Sequence, residues 1–157
     1  MNLENDDKGA SVKFPPPLIF LFLILATYGV HYIWPIDIGS SSVLKYLGVA
    51  VSILGLGAIF IISQYFKRDE TNIEPWKPTT KIISTGIFAY SRNPIYVAFC
   101  LITIGTGIFL NSFWVLCSVI PSAVLVYYVA IKKEEAYLEE KFGEEYLRYK
   151  SKVRRWL

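Results

Sequence analysis

Four apolar stretches divide the chain, and the polar residues gather before, between and after them. The stretches cover about 17–34, 43–66, 95–110 and 112–131. A bilayer core about 30 Å thick takes roughly 20 helical residues, so each stretch is long enough, or nearly so, to cross it. The turn at Asn111 and Ser112 leaves room only for a tight hairpin between the last two stretches. The pattern predicts an all-α integral membrane protein with about four transmembrane helices, forming a single membrane domain over residues 1–157.

The positions of the positive charges predict how this domain is oriented. Of the 16 lysines and arginines, Lys45 alone lies near the turn between the first two stretches. The rest lie in the N-terminal arm 1–16, the loop 67–94 and the segment 132–157. Because positive charge is retained on the cytoplasmic side, we expect both termini and this loop to be cytoplasmic. Hydrophobic residues make up 54% of the chain and charged residues only 18%, which agrees with a membrane protein.

Small residues and a proline within the apolar stretches predict how the helices pack. Glycines that would let another helix approach closely occur in the second and third stretches, at Gly48, Gly55, Gly57, Gly105 and Gly107. We interpret the last two as packing residues rather than as a phosphate-binding loop. Pro121 lacks an amide proton, so it predicts a kink near the middle of the fourth stretch.

The segment 132–157 has a different pattern. Apolar and aromatic residues recur there at three- to four-residue intervals, at Leu138, Phe142, Tyr146, Tyr149 and Val153, with glutamates and lysines between them. This spacing predicts an amphipathic helix, which Gly143 bends or interrupts. Two interpretations remain open: the helix lies on the membrane surface, or it is a flap that folds back over the polar ends of the third and fourth stretches.

Two polar motifs flank the predicted hairpin. The sequence KIISTGIFAYSRNPIY ends the loop before the third stretch, and Glu134 and Glu135 follow the fourth. If the third and fourth stretches are antiparallel, Arg92 and Glu135 come to the same membrane face. Each residue alone has a simpler interpretation, as a solvated charge or as an arginine that extends to the lipid headgroups. Their predicted convergence is the reason to expect a site.

The spacing of these residues resembles that of the isoprenylcysteine carboxyl methyltransferases and the related phospholipid methyltransferases. The shared positions are Gly86, Phe88, Arg92, Pro94, Tyr96, Glu134, Glu135, Leu138, Phe142, Gly143, Tyr146, Tyr149 and Val153. The resemblance implies an integral membrane methyltransferase that uses S-adenosylmethionine and takes a lipophilic substrate sideways from the membrane lipid. It implies catalytic roles for Arg92 and Glu135, and a cofactor shell of Lys81, Ile83, Gly86, Tyr90, Arg92, Asn93, Pro94, Tyr96, Glu135 and Leu138.

The chemistry of the cofactor agrees with these residue types. Arg92 offers two parallel hydrogen bonds to the cofactor carboxylate. Glu135 offers an acceptor to ribose hydroxyls or to the ammonium group. Gly86 lets the backbone approach a ligand closely, while Tyr90 and Tyr96 offer aromatic surface to adenine or to the cationic sulfonium.

Departures from the family pattern leave the methyl acceptor open. Methyltransferases of prenylated proteins usually have histidine where this chain has Asn93, glycine where it has Ala98, and histidine where it has Lys81. The first hypothesis is methylation of a lipophilic carboxylate, and the second is N-methylation of a phospholipid amine. A non-catalytic membrane scaffold whose tail binds a partner is the alternative from a different class. No metal site is predicted, nucleic-acid binding is not supported because the basic residues alternate with acidic ones, and the oligomeric state is not indicated.

Overall fold

The computed structural model describes residues 9–39 and 41–157, so the first eight residues of the predicted N-terminal arm lie outside the described residues. Over the described residues the chain is all-α, as predicted, with no β-strand. Its helices are α1 (Pro16–Ile33), α2 (Ser42–Arg68), α3 (Pro94–Phe109), α4 (Phe113–Cys117), α5 (Val119–Val126), α6 (Lys132–Phe142) and α7 (Glu144–Lys152). A 3-10 turn (Gly86–Ala89) precedes α3, and a π-helical turn (Tyr127–Ile131) joins α5 to α6.

Three helical runs among the described residues are long and apolar enough to cross a membrane: Pro16–Ile33, Ser42–Arg68 and Phe113–Phe142. The apolar helix α3 has 16 residues, fewer than the roughly 20 that a straight span needs. The predicted count of four spans therefore stays a prediction. The last run extends beyond its predicted end at residue 131, because α6 continues it without a break.

The chain forms two compact units. The first contains residues 9–14 of the described chain, Phe60–Pro94 and Tyr127–Leu157. The second contains Pro15–Ile59 and Ile95–Val126. Most of the polar motif residues belong to the first unit, and most of the apolar helical residues belong to the second.

Glycines bring α2 and α3 together in the second unit. A Cβ on Gly48 would lie 2.7 Å from the carbonyl oxygen of Gly105, and one on Gly55 would lie 2.8 Å from that of Ala98. The predicted close approach is therefore confirmed at these positions, since a larger side chain would meet backbone. It is wrong at Gly57, where a Cβ would meet nothing within 4 Å.

Large apolar side chains on the outside of the second unit match a lipid environment. Phe22, Leu54 and Ile120 are 68%, 66% and 68% exposed, respectively. A water-soluble protein rarely exposes so many large apolar side chains on neighbouring helices. Because helices satisfy their own backbone hydrogen bonds, they can present such a surface to lipid.

Pro121 distorts the fourth apolar stretch as predicted. The helix is interrupted at Ser118, between α4 and α5. Proline has no N–H to donate to the carbonyl of Cys117, the residue four positions earlier, and its ring crowds that carbonyl. The hydroxyl of Ser118 donates to the carbonyl oxygen of Val115 at 2.6 Å and satisfies one of the carbonyls near the break.

Candidate functional site

The loop of the first unit turns sharply at Gly86. This residue has a φ of +60°, and a Cβ there would overlap the side chain of Tyr65. Phe88, in the turn that Gly86 begins, lies edge-on to the rings of Tyr65 and Phe66, with ring centroids 6.2 and 5.8 Å away. The glycine is therefore explained by packing within the chain. This packing fixes the turn that leads into the residues before α3.

The residues just before α3 are buried and hydrogen-bonded. The backbone N–H of Asn93 donates to Ser91 Oγ at 3.1 Å, and α3 begins at Pro94. Proline suits a first helical position because its missing N–H would have no partner there. Ser91, Asn93 and Pro94 are all buried, and this local order fixes the backbone on which Arg92 sits.

Glu135, in the first turn of α6, is the centre of a buried charge cluster. Its Oε1 accepts hydrogen bonds from Arg92 Nη2 and Arg155 Nε, each at 2.9 Å. Its Oε2 accepts from Arg155 Nη2, also at 2.9 Å, so Arg155 binds the carboxylate with two parallel hydrogen bonds. The side chains of Glu135 and Arg92 are only 9% and 8% exposed. Burial of an ionised carboxylate requires such charge-assisted partners.

Arg92 also donates hydrogen bonds to the backbone of residues 150–154. Its Nη1 donates to the carbonyl oxygens of Lys150 at 3.0 Å and Val153 at 2.7 Å, and its backbone N–H donates to the carbonyl of Arg154 at 2.9 Å. Its Nε is buried and has no hydrogen-bond partner in the part of the chain that the structure describes. A buried donor without a partner is uncommon in proteins, so it marks a position where a ligand acceptor would be favourable.

The helix α7 packs on the segment before α3. Its Tyr149 hydroxyl donates to the carbonyl oxygen of Phe88 at 2.7 Å, and Asn93 Nδ2 donates to the carbonyl oxygen of Arg155 at 3.1 Å. Tyr146, on the predicted apolar face, is only 1% exposed. These contacts support the flap interpretation of the tail, and its contact with a membrane surface stays a prediction. Gly143, with a φ of +52°, separates α6 from α7, which confirms the predicted interruption.

Burial and charge shift the acidities of groups around the cluster. The hydrogen bond to Glu135 raises the pKa of Arg155 above its ordinary value, so this guanidinium stays charged. Its central carbon lies 5.0 Å from the centre of the Tyr127 ring, within range of a cation–π interaction. Burial raises the pKa of Tyr149 to about 12, although Arg92 opposes the shift. The Tyr149 hydroxyl is therefore a hydrogen-bond donor at neutral pH.

An open cleft of about 440 Å³ is lined in part by Tyr149. Clefts of about 300–1,000 Å³ are the usual size of small-molecule sites. It is lined by Ile82, Ser84, Ala89, Tyr149 and Val153, and by the charged residues Glu145, Arg148 and Lys152. Tyr149 and Val153 line this cleft, and the carbonyl oxygen of Val153 accepts a hydrogen bond from Arg92.

The structure brings Arg92, Asn93 and Glu135 together around residues 150–155, as their predicted convergence requires. Two other predicted cofactor residues, Lys81 and Tyr90, are exposed. Lys81 Nζ pairs with Asp69 Oδ1 at 2.8 Å, and its side chain is 60% exposed. Tyr90 is 76% exposed.

The remaining predicted cofactor residues are more enclosed. Ile83 and Pro94 are buried in the first unit, and Leu138 is half-buried on α6. Tyr96 is 4% exposed on α3, in the second unit. Cofactor binding by all of these side chains stays a prediction.

Sequence reasoning missed Arg155. It lies 20 residues after Glu135 and beyond the end of α7, where neither helical spacing nor the motif relates the two residues. Tyr149 was expected as part of an apolar face and as a position of the family pattern, and its hydroxyl contact with Phe88 was not predicted. The only local feature of the sequence that marks Arg155 is the basic pair Arg154 and Arg155. By itself such a pair predicts charges exposed to solvent.

These features define an α-helical integral membrane protein with an Arg–Glu–Arg cluster, of which Arg92 and Glu135 are buried. Residues 43–145 match the family model described as phospholipid methyltransferase. The match covers more than half of the chain, so the chain belongs to the phospholipid methyltransferase family, and the family resemblance is confirmed.

Three curated proteins are similar to part of this chain. An uncharacterized protein from Haemophilus influenzae is 41% identical over 63 residues, which are 40% of this chain and all of that protein. The protein-S-isoprenylcysteine O-methyltransferase of Schizosaccharomyces pombe is 38% identical over 74 residues. The enzyme of the same name from Saccharomyces cerevisiae is 39% identical over 74 residues. In both cases the match covers 46% of this chain but only 30% of the relative.

Proposed function

We propose that this chain is an S-adenosylmethionine-dependent membrane methyltransferase that methylates a lipophilic acceptor, with a carboxylate as the preferred group. Family membership and the two named relatives support a methyltransferase. The structural observation that carries the proposal is the buried pair of Arg92 and Glu135, because each retains unused hydrogen-bonding capacity.

The residues of the cluster fit the proposed cofactor. Arg92 Nε is a buried donor without a partner in the described chain, and the cofactor carries a carboxylate that accepts hydrogen bonds. A carboxylate has about four lone-pair sites, and the described contacts of Glu135 use fewer than that. The remaining lone pairs of the Glu135 carboxylate can accept a hydrogen bond from an ammonium group or a ribose hydroxyl. The cleft lined by Tyr149 and Val153 provides space of the right order, and Arg92 and Glu135 lie outside its lining.

This fit changes the role that we assign to Arg92. Its Nη1 is occupied by two backbone carbonyls, and its Nη2 donates to Glu135. We therefore assign the contact with the cofactor carboxylate to the Nε side of the guanidinium. The other proposed shell residues are Lys81, Ile83, Gly86, Tyr90, Asn93, Pro94, Tyr96 and Leu138.

When bound, the cofactor supplies a methyl group on a good leaving group. The protein then has to orient the two reactants and keep water away from them. Arg92 and Glu135 supply the orientation, and residues 150–155 cover the cluster. A carboxylate acceptor is already nucleophilic and needs no general base, whereas an ammonium acceptor must first lose a proton.

The second candidate is N-methylation of a phospholipid amine, which the family description favours. The names of the two yeast relatives favour O-methylation instead. In either case we propose that the acceptor enters from the membrane lipid, and that the loop 67–94 and both termini are cytoplasmic. A non-catalytic scaffold would bind no cofactor.

Transfer of a labelled methyl group tests the proposal. The purified chain in lipid nanodiscs is incubated with methyl-labelled S-adenosylmethionine and either an S-farnesylated cysteine derivative or phosphatidylethanolamine. We expect the label to be transferred to the farnesylated acid as a methyl ester. Mild alkali should then release the label as methanol, since an ester is alkali-labile. We expect Glu135→Gln to lower the rate by about tenfold or more, as the loss of one partner in a buried charge cluster does.

The alternatives give different products in the same assay. Alkali-stable label in phosphatidylethanolamine would establish N-methylation. No label in either acceptor, together with no cofactor binding, would contradict the methyltransferase proposal.

A further inference from the structure

Arg155 connects the two polar motifs. Its guanidinium binds Glu135 through Nε and Nη2, both at 2.9 Å. Its backbone carbonyl accepts hydrogen bonds from Asn93 Nδ2 at 3.1 Å and Ser91 Oγ at 3.4 Å. One residue therefore contacts both the segment before α3 and the first turn of α6.

Arg155 determines the plane of the Glu135 carboxylate. Arg92 contacts only Oε1, so by itself it would leave the carboxylate free to rotate about this one hydrogen bond. The fork of Arg155 contacts both oxygens and fixes the orientation of the whole group. Arg155 also packs over the ring of Tyr127, which limits the positions of its own side chain.

The two arginines approach Glu135 from different environments. The Arg92 side chain is 8% exposed and the Arg155 side chain is 36% exposed. Arg155 therefore forms the outer side of the cluster, and it can be replaced without leaving the inner arginine unpaired. Lysine at this position would keep the charge but could not form the two-point contact.

We propose that Arg155 is a positioning residue of the cofactor site. It holds the Glu135 carboxylate in one orientation. In that orientation the unused lone pairs of the carboxylate can accept hydrogen bonds from the cofactor. This inference rests on the proposed function, and it extends the site to a residue that the family pattern does not include.

The test measures S-adenosylmethionine binding to wild type, Arg155→Ala and Arg155→Lys by calorimetry in nanodiscs. The matched control is Arg154→Ala, because Arg154 is exposed and its described contact with Arg92 uses only the backbone carbonyl. We expect Kd to rise by about tenfold or more for Arg155→Ala and less for Arg155→Lys. Arg154→Ala should stay within about twofold, since exposed charges contribute little.

Two further measurements separate positioning from general stability. Thermal unfolding shows whether each variant is folded at the temperature of the titration, and Arg155→Lys is the second variant if Arg155→Ala unfolds. In a Glu135→Gln background, Arg155→Ala should change Kd by less than about twofold, because residues that act through one another are not additive.

The outcomes separate this inference from the proposed function. If wild type binds the cofactor and folded Arg155→Ala and Arg155→Lys bind it equally well, the positioning role is overturned and the proposed function stands. An undiminished effect of Arg155→Ala in the Glu135→Gln background would also overturn it, since Arg155 would then act without Glu135. If wild type does not bind, the proposed function fails and this inference fails with it.

Discussion

Arg92 joins two parts of the chain that are far apart in sequence. Its side chain donates to Glu135 on α6 and to the carbonyls of Lys150 and Val153 near the end of α7. The family resemblance implied that Arg92 binds the cofactor carboxylate, and the sequence alone left contact with lipid headgroups as the simpler interpretation. It could not predict the carbonyl contacts, which depend on where the chain goes after Gly143.

Gly86 provides a prediction about stability. Gly86→Ala should destabilise the fold by about 1–3 kcal/mol, because alanine is strained at positive φ and its Cβ would overlap the Tyr65 side chain. Thermal unfolding in detergent measures the effect.

Gly57→Ala is the matched control for this substitution. A Cβ on Gly57 meets nothing within 4 Å in the helix α2. Alanine is preferred over glycine within helices by about 0.5–1 kcal/mol. Gly57→Ala should therefore be neutral or stabilising, and equal melting temperatures of the two variants would contradict the described conformation at Gly86.

At the scale of the element, α6 and α7 show what a periodic pattern can and cannot predict. The spacing from Leu138 to Val153 predicted an apolar face, and Gly143 correctly predicted an interruption. Periodicity shows which residues share a face but not what that face contacts. The pattern was therefore equally compatible with contact to a membrane surface and with contact to another part of the chain. The hydroxyl of Tyr149 donates to the carbonyl of Phe88, so the chain itself covers this face at Tyr149.

The packing of α7 against the segment before α3 should weaken at alkaline pH. The pKa of Tyr149 is about 12 in the fold, against an ordinary value of about 10. The protonated form is thus favoured in the folded state. The resulting stabilisation is fully present below about pH 10 and is lost as the pH rises toward about 12.

Tyr149→Phe isolates this effect. The difference in melting temperature between wild type and Tyr149→Phe should become smaller between about pH 9 and about pH 11, since the variant lacks the titrating hydroxyl. Other tyrosines and lysines titrate in both proteins and cancel in the comparison. A constant difference across this range would show that the Tyr149 hydroxyl is not buried as described.

At the scale of the whole molecule, the apolar runs were sufficient to predict an all-α membrane protein. Long runs predict helices strongly, because lipid leaves the backbone no other partner. The division into two compact units could not be predicted, since it depends on contacts between residues far apart in the chain. The same holds for the site: the motifs predicted the convergence of Arg92 and Glu135, whereas Arg155 lies outside any motif and required the fold.

The most direct test of the central claim is calorimetric binding of S-adenosylmethionine to the purified chain in nanodiscs. Arg92→Ala and Glu135→Ala remove the two central side chains, and Arg154→Ala and Glu140→Ala are controls at exposed positions. We predict that wild type and both controls bind the cofactor. The first two variants, if folded, should bind at least about tenfold more weakly, because each loses one partner of a buried charge cluster. No binding by folded wild type, or equal binding by all the variants, would contradict a cofactor site built on Arg92 and Glu135.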